Sequence, residues 1–231
     1  MVASTPLVDE IRAALAAVAN PEKAAPMQAY MKSTMPNLGV QKPARVAAVG
    51  PLLHRHRLPD RSAWENTIRQ LWDDAAYREE RYAATDLARF RAYAEWATDL
   101  RSLDLYDHLI VTGAWWDHVD EVSIRLVGPL LRAHPEQVVP VLRRWARDAD
   151  RWRRRASIIC QIGSRDETDT ALLAECILTN IDDPDFFLRK GIGWALREHA
   201  KTDPHWVRTF TTAYRARLSP LSLREATRNL R

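Results

Sequence analysis

Glycine is scarce in this 231-residue chain, with only seven residues. That scarcity argues against a barrel or sandwich rich in tight turns. Two cysteines, Cys160 and Cys176, lack CxxC spacing and sit in apolar helical surroundings. They exclude a disulfide framework and a thiolate metal site, and read as buried thiols of a reducing compartment. No apolar run approaches the roughly 20 residues that span a bilayer. Met1 to Pro6 has neither a basic n-region nor an apolar h-region. A soluble, cytoplasmic protein without membrane contact is expected. No period-two strand pattern stands out, and no metal-ligand spacing is visible; His54 and His56 read as solvated.

What is present is helical. Hydrophobic residues make up 46% and charged residues 28%, a globular balance. Leu7, Ile11, Ala14, Leu15 and Val18 recur at helix spacing as far as Pro21, and a second helix is expected from Glu22 to Thr34. Pro36 to Gly39 reads as a turn, and Pro43 suits a helix opening. Ser62 is a candidate N-cap for a helix carrying Trp64, Ile68, Leu71 and Trp72. Further breaks fall near Thr112-Gly113, His134-Pro135, Asp148 to Asp150, Ser164 to Asp166, Asp182 to Pro184, Thr202 to Pro204 and Ser219-Pro220. Helix pairs repeating every 35 to 45 residues or so suggest a HEAT-type α-solenoid of paired antiparallel helices in one domain, residues 1–231. Its concave, basic surface would suit an elongated partner. A compact all-α bundle is the alternative.

Charge is uneven. The formal net charge is +4, and Arg143, Arg144, Arg147, Arg151, Arg153, Arg154 and Arg155 crowd one stretch against Asp148 and Asp150. This is either a solvated face or the footprint of a polyanion, with nucleic acid first.

Three positions break the core pattern. On a wheel of about 100° per residue, the helix near Val111 to Leu131 shows a stripe of Trp115, Val119, Val122, Leu126 and Leu130. Trp116 and Asp120 lie beside it, roughly 40° apart and near Ser123. An indole beside a carboxylate is costly for stability alone and makes sense if a cation docks there. On the helix from Phe187 to Ala200, Leu188, Ile192, Ala195 and His199 point inward, while Trp194 points away beside Lys190 and Arg197. That face fits stacking with phosphate contacts, or a neighbouring helix. Finally, Arg155 falls within the apolar arc of Trp152, Ile158, Ile159 and Ile162. A guanidinium there needs either a carboxylate or a phosphate.

Ordered motifs along most of the chain carry a resemblance. They are Tyr30-Met31-Lys32 with Leu38 to Pro43, Trp115 to Asp120, Trp152 to Gln161, Phe186 to Trp194 with Leu196-Arg197-Glu198, and Ser219 to Ser222 with Arg224-Glu225-Ala226. The stretch from Pro59 to Arg101 contributes little. On these motifs the chain resembles the AlkD family of HEAT-like-repeat alkylpurine DNA glycosylases. The resemblance implies hydrolysis of the glycosidic bond of cationic purines such as 3-methyladenine and 7-methylguanine, and of bulky N3 or N7 adducts, in double-stranded DNA. An abasic site would remain, with no base drawn into a pocket, no cofactor and no metal. A monomer on prokaryotic nucleoid DNA is implied. Asp120, Trp116 and Trp194 correspond to catalytic positions. Arg155, Arg197, Lys190, Gln41, Lys42 and Arg154 correspond to DNA contacts. No lysine sits in the motif to form a Schiff base, so strand cleavage is not expected. The alternatives are a catalytically silent DNA-binding scaffold of the same architecture and a protein-interaction solenoid.

Overall fold

The computed structural model describes residues 5–230, and among them no strand occurs. The reading of Met1 to Ser4 as lacking a leader lies outside those residues. No helix is long and apolar enough to cross a membrane among the described residues. The chain divides into two compact units, one running to Ala97 and the other from Thr98.

The first unit holds α1 (Pro6–Ala17), α2 (Pro21–Met31), α3 (Lys42–Arg55), α4 (Arg61–Asp73), α5 (Arg78–Ala88) and the single turn α6 (Ala94–Ala97). α1, α4 and α5 pack together, and Ile11 and Leu15 of α1, Trp64, Ile68, Leu71 and Trp72 of α4 and Leu87 of α5 are closed to solvent. α2 ends at Met31, short of the expected Thr34, because Lys32 turns into the left-handed region at φ 48°. The cap of α4 is Asp60 rather than Ser62; its side chain accepts from Ala63 N at 2.8 Å. His54, expected to be solvated, is exposed with its ring edge-on to Phe90, whereas His56, also expected to be solvated, is half-buried and shares the Glu10 carboxylate with Arg55.

The second unit holds α7 (Leu103–Gly113), α8 (Trp116–Val122), α9 (Gly128–Ala133), α10 (Pro135–Trp145), α11 (Arg151–Ile159), α12 (Thr170–Asn180), α13 (Phe186–His199), α14 (Pro204–Ala213) and α15 (Pro220–Thr227). The helix expected from Val111 is two helices. Ala114 adopts φ 41° and closes α7, and extended Trp115 caps α8. Trp115 is therefore half-buried rather than core, while Val119, Val122, Leu126 and Leu130 are buried as the stripe requires. Between α8 and α9, Ser123–Val127 widens into a π-helical segment. Pro129 follows, has no N–H to give to the preceding turn, and would crowd Arg125 in a regular α-helix. Gly128 lets this segment meet the end of α11: a Cβ there would lie 2.3 Å from the Cys160 carbonyl oxygen. Both cysteines are free and buried, and burial pushes the Cys176 thiol up to about 12.

An internal repeat organises the starts of α11 and α13. Asp148-Ala149-Asp150 and Asp183-Pro184-Asp185 occupy equivalent positions. In each, the first carboxylate accepts from the backbone N–H of the second aspartate at 2.8 Å. The second aspartate then caps the helix, Asp150 on Trp152 and Arg153, Asp185 on Phe187 and Leu188. The ring two residues after each cap joins Trp115 in one cluster: Trp152 and Phe187 are 5.0 Å apart, and Trp115 lies 6.1 and 5.3 Å from them. Replacing Asp185 with alanine removes a cap worth about 1 kcal/mol. The urea midpoint of Asp185→Ala is expected to fall accordingly, and an unchanged midpoint contradicts the capping role.

Candidate functional site

Asp120 lies on the second turn of α8, one turn beyond Trp116. Arg155, on the second turn of α11, grips it bidentately: Nε donates to Oδ1 at 2.7 Å and Nη2 to Oδ2 at 2.8 Å. Nη1 donates to the carbonyl of Phe187 in the first turn of α13, at 2.5 Å. One side chain thus joins three helices. Arg155 is only 3% exposed. Gly191 makes this possible, because a Cβ there would lie 3.0 Å from Arg155 Nη1. Of the two partners open to Arg155, carboxylate or phosphate, the structure supplies the carboxylate.

The electrostatics of Asp120 follow from this packing. Burial pushes its carboxyl above the ordinary value of 3.8, Arg155 opposes that through its hydrogen bonds and charge, and the nearby Asp117 and Glu121 add to the rise. The result is a carboxylate more basic than an ordinary aspartate and held in one orientation. Ser123 is buried, with its hydroxyl donating to the Val119 carbonyl at 2.6 Å.

Trp194 is half-buried on α13, three residues past the Gly191 that touches Arg155. Its flanking cations are not loose. Lys190 Nζ donates to Glu225 Oε1 at 2.7 Å, and Arg197 Nη1 donates to Glu225 Oε2. Glu225, on α15, is 8% exposed; the Lys190 hydrogen bond holds its carboxyl below the ordinary range, helped by the charges of Arg197 and Arg228. Gly193 permits the approach, since a Cβ there would come 2.5 Å from Glu225 Cβ.

The arginine-rich stretch is similarly matched. Arg143 and Arg147 pair with Glu175, Arg151 with Asp185, Arg153 with Asp107 and Asp148, and Arg154 with Asp183. The stretch is therefore no free cationic stripe; Arg144 alone within it has no carboxylate partner among the described residues, its guanidinium turning back to the Pro140 carbonyl. In the first unit, Gln41 caps α3 and accepts from Lys23 Nζ at 2.8 Å, and Lys42 follows it, exposed.

Two carboxylates escaped the sequence reading. Glu225 lay inside one of the motifs but carried no role. Glu79 lay in the stretch between Pro59 and Arg101 that contributes little to the resemblance. It is fully buried and accepts from Leu38 N at 2.9 Å and Val40 N at 3.0 Å, fixing the loop that presents Gln41 and Lys42. A glutamate in a helical pattern gives no signal of burial, so neither could be found that way.

The profile of a family described as DNA alkylation repair enzyme matches residues 11–230. Among solved structures, the chain is similar to a protein described as a predicted DNA alkylation repair enzyme from Enterococcus faecalis. The two share 30% identity over 92% of this chain and 96% of that one, with a TM-score of 0.81. No curated protein sequence matches.

The Arg155–Asp120 pair sets a test. Arg155→Met strands a carboxylate that is only 15% exposed and is expected to cost about 3–5 kcal/mol at neutral pH. The stranded Asp120 then has a folded-state pKa further above its unfolded value. Protonation favours the folded variant, so its deficit shrinks as pH falls through that raised value towards 3.8. Chemical denaturation at several pH values checks this; a deficit that grows on acidification contradicts the pairing.

Proposed function

The chain belongs to the DNA alkylation repair enzyme family, and from that premise we propose that it is a monofunctional DNA glycosylase for cationic alkylated purines in duplex DNA. Membership places it in the repair of alkylated DNA. The finer reading is carried by one observation: a half-buried, basic, Arg155-held carboxylate lies one helical turn from an indole that no neighbouring ring covers among the described residues.

Alkylation at N3 or N7 makes the base a cation, which weakens its bond to C1′. As that bond breaks, its electron pair leaves with the purine, which departs neutral. Positive charge passes to the deoxyribose. Asp120 is fixed before the reaction begins, so it stabilises the developing charge without reorganising. Water adds its oxygen to C1′ and its proton goes to Asp120, whose raised basicity suits the transfer. Trp116 and Trp194 offer ring faces to the same cation. No lysine takes part, so the product is an intact strand with an abasic site.

Arg155 acts in this scheme as a positioning residue rather than a phosphate ligand, because it is nearly closed to solvent and its guanidinium is turned to Asp120 and Phe187. Lys190 and Arg197 keep N–H donors beyond those given to Glu225 and serve flanking phosphates. Gln41 and Lys42 add contacts made by the first unit, while Arg154 is committed to Asp183. Selection rests on the charge and leaving ability of the lesion, so extrusion into a fitted pocket, the usual route to a base, is not required. Monomeric protein suffices.

Excision assays on duplexes carrying 7-methylguanine or uracil test the reading. Release of 7-methylguanine alone is expected, and release of neither substrate favours a silent DNA-binding scaffold. Asp120→Asn is expected to bind the duplex but to lose about 100-fold or more of the excision rate. The acid limb of the wild-type rate profile is expected above the ordinary aspartate value of 3.8. Full activity in Asp120→Asn overturns the mechanism.

A further inference from the structure

A cavity of about 490 Å³ opens beside the C-terminal turns of α11 and α13. Ile158 of α11, Gln161 in the turn that follows it and Ala195 of α13 help form its walls, and Arg125, Arg165 and Lys201 bring positive charge to it. The cavity is thus formed by the same two helices that carry Arg155 and Trp194, on the inward face of α13 and not on the face of Trp194.

Its charge differs in kind from that of the arginine-rich stretch. Lys201 is paired with Glu198, the one carboxylate in the lining. Arg125 and Arg165 are exposed, and neither side chain has an ion-pair partner among the described residues. Three cations thus face one carboxylate. His199 adds no charge: burial lowers its pKa, it is 8% exposed, and neither ring nitrogen has a hydrogen-bond partner.

The backbone that carries the two arginines is unusual at both positions. Arg125 belongs to the π-helical segment Ser123–Val127, a departure from the α-helix often found at functional sites. Arg165 stands at φ 53° and Gly163 at φ 89°, so the loop between α11 and α12 twice enters the left-handed region. For arginine that conformation is uncommon and needs outside support. Support comes from both sides of the loop. Gln161 Nε2 donates to the Asp169 carbonyl at 3.0 Å and its Oε1 accepts from Asp169 N at 2.7 Å, while Arg132 donates to Ser164 Oγ at 3.0 Å. No residue crowds Gly163, where a Cβ would meet open space.

We infer that this cavity receives a backbone phosphate of the DNA duplex, bound by Arg125 and Arg165. A cationic purine is repelled here, so the occupant is the anionic part of the substrate. The inference rests on the reading of duplex DNA as substrate. It adds two isolated arginines, beside Lys190 and Arg197, to the groups that make binding salt-dependent, and leaves out the crowded stretch from Arg143 to Arg155.

The test is duplex binding by fluorescence anisotropy over a range of potassium chloride concentrations. Wild type is compared with Arg125→Ala/Arg165→Ala and with Arg143→Ala/Arg147→Ala, each checked for folding by its melting temperature. Arg125→Gln/Arg165→Gln replaces the first pair if the alanines unfold. The slope of log affinity against log salt is expected to shrink by about 0.9 for each phosphate that the variant no longer neutralises. Damaged and undamaged duplexes lose affinity in parallel, and the Arg143/Arg147 variant keeps its slope. An unchanged slope in folded Arg125/Arg165 variants overturns the inference. So does stabilisation by inorganic phosphate that needs both arginines while the DNA slope stays fixed, because the cavity is then a small-anion site. Wild-type protein that shows the expected slope changes but releases no 7-methylguanine refutes the glycosylase reading and leaves this inference standing.

Discussion

An arginine stays charged at any pH a protein survives, so a buried one must be met by an opposite charge or by acceptors for its N–H groups. Arg155 meets that demand with the Asp120 carboxylate and the Phe187 carbonyl. Much of the second unit follows from this junction. It ties α8, α11 and α13 at fixed distances. It requires a glycine at position 191, where a Cβ would press on the guanidinium. It also decides the character of Asp120, because burial alone would favour the neutral acid and Arg155 restores part of the preference for charge.

The same logic recurs on the other side of α13. Glu225 gathers Lys190 and Arg197 as Asp120 gathers Arg155, and Gly193 gives it room as Gly191 does for Arg155. Each half-buried indole, Trp116 and Trp194, thus shares its helix with one of these charge clusters. A carboxylate beside an indole is poor packing and a good receptor for a cation. In the proposed mechanism the two clusters build that receptor from side chains already oriented, which is the condition for electrostatic catalysis. The aromatic cluster of Trp115, Trp152 and Phe187 fixes the starts of the same three helices, so the carbonyl that anchors Arg155 is itself held by packing.

Much of this was legible in the sequence. Periodicity located most helix breaks, and the wheel separated Asp120 and Trp116 from the buried stripe of Val119, Val122, Leu126 and Leu130. It also marked Arg155 as a charge inside an apolar arc, though it could not choose between carboxylate and phosphate, because Asp120 is remote in the chain. The helix expected through Val111 failed at Ala114, whose left-handed turn no residue type announces. The widened segment before Pro129 was hidden for a related reason: a proline in a helical pattern signals a break, and here the helix absorbed it. Charge clustering misled most. The partners of Arg143, Arg147, Arg151, Arg153 and Arg154 include Glu175, Asp107, Asp183 and Asp185, which reach them only in the fold. Glu79 and Glu225 were invisible because a glutamate reads as surface until its helix is packed.

If Arg155 serves catalysis by holding Asp120, the two residues act as one unit and their losses do not add. The most direct measurement is a double-mutant cycle of Asp120→Asn and Arg155→Met, read as single-turnover release of 7-methylguanine from saturating duplex. The double variant is expected to be no slower than Asp120→Asn alone. Losses that multiply, with the double variant slower by the product of the two single effects, would show that Arg155 acts on the substrate independently and would contradict the account.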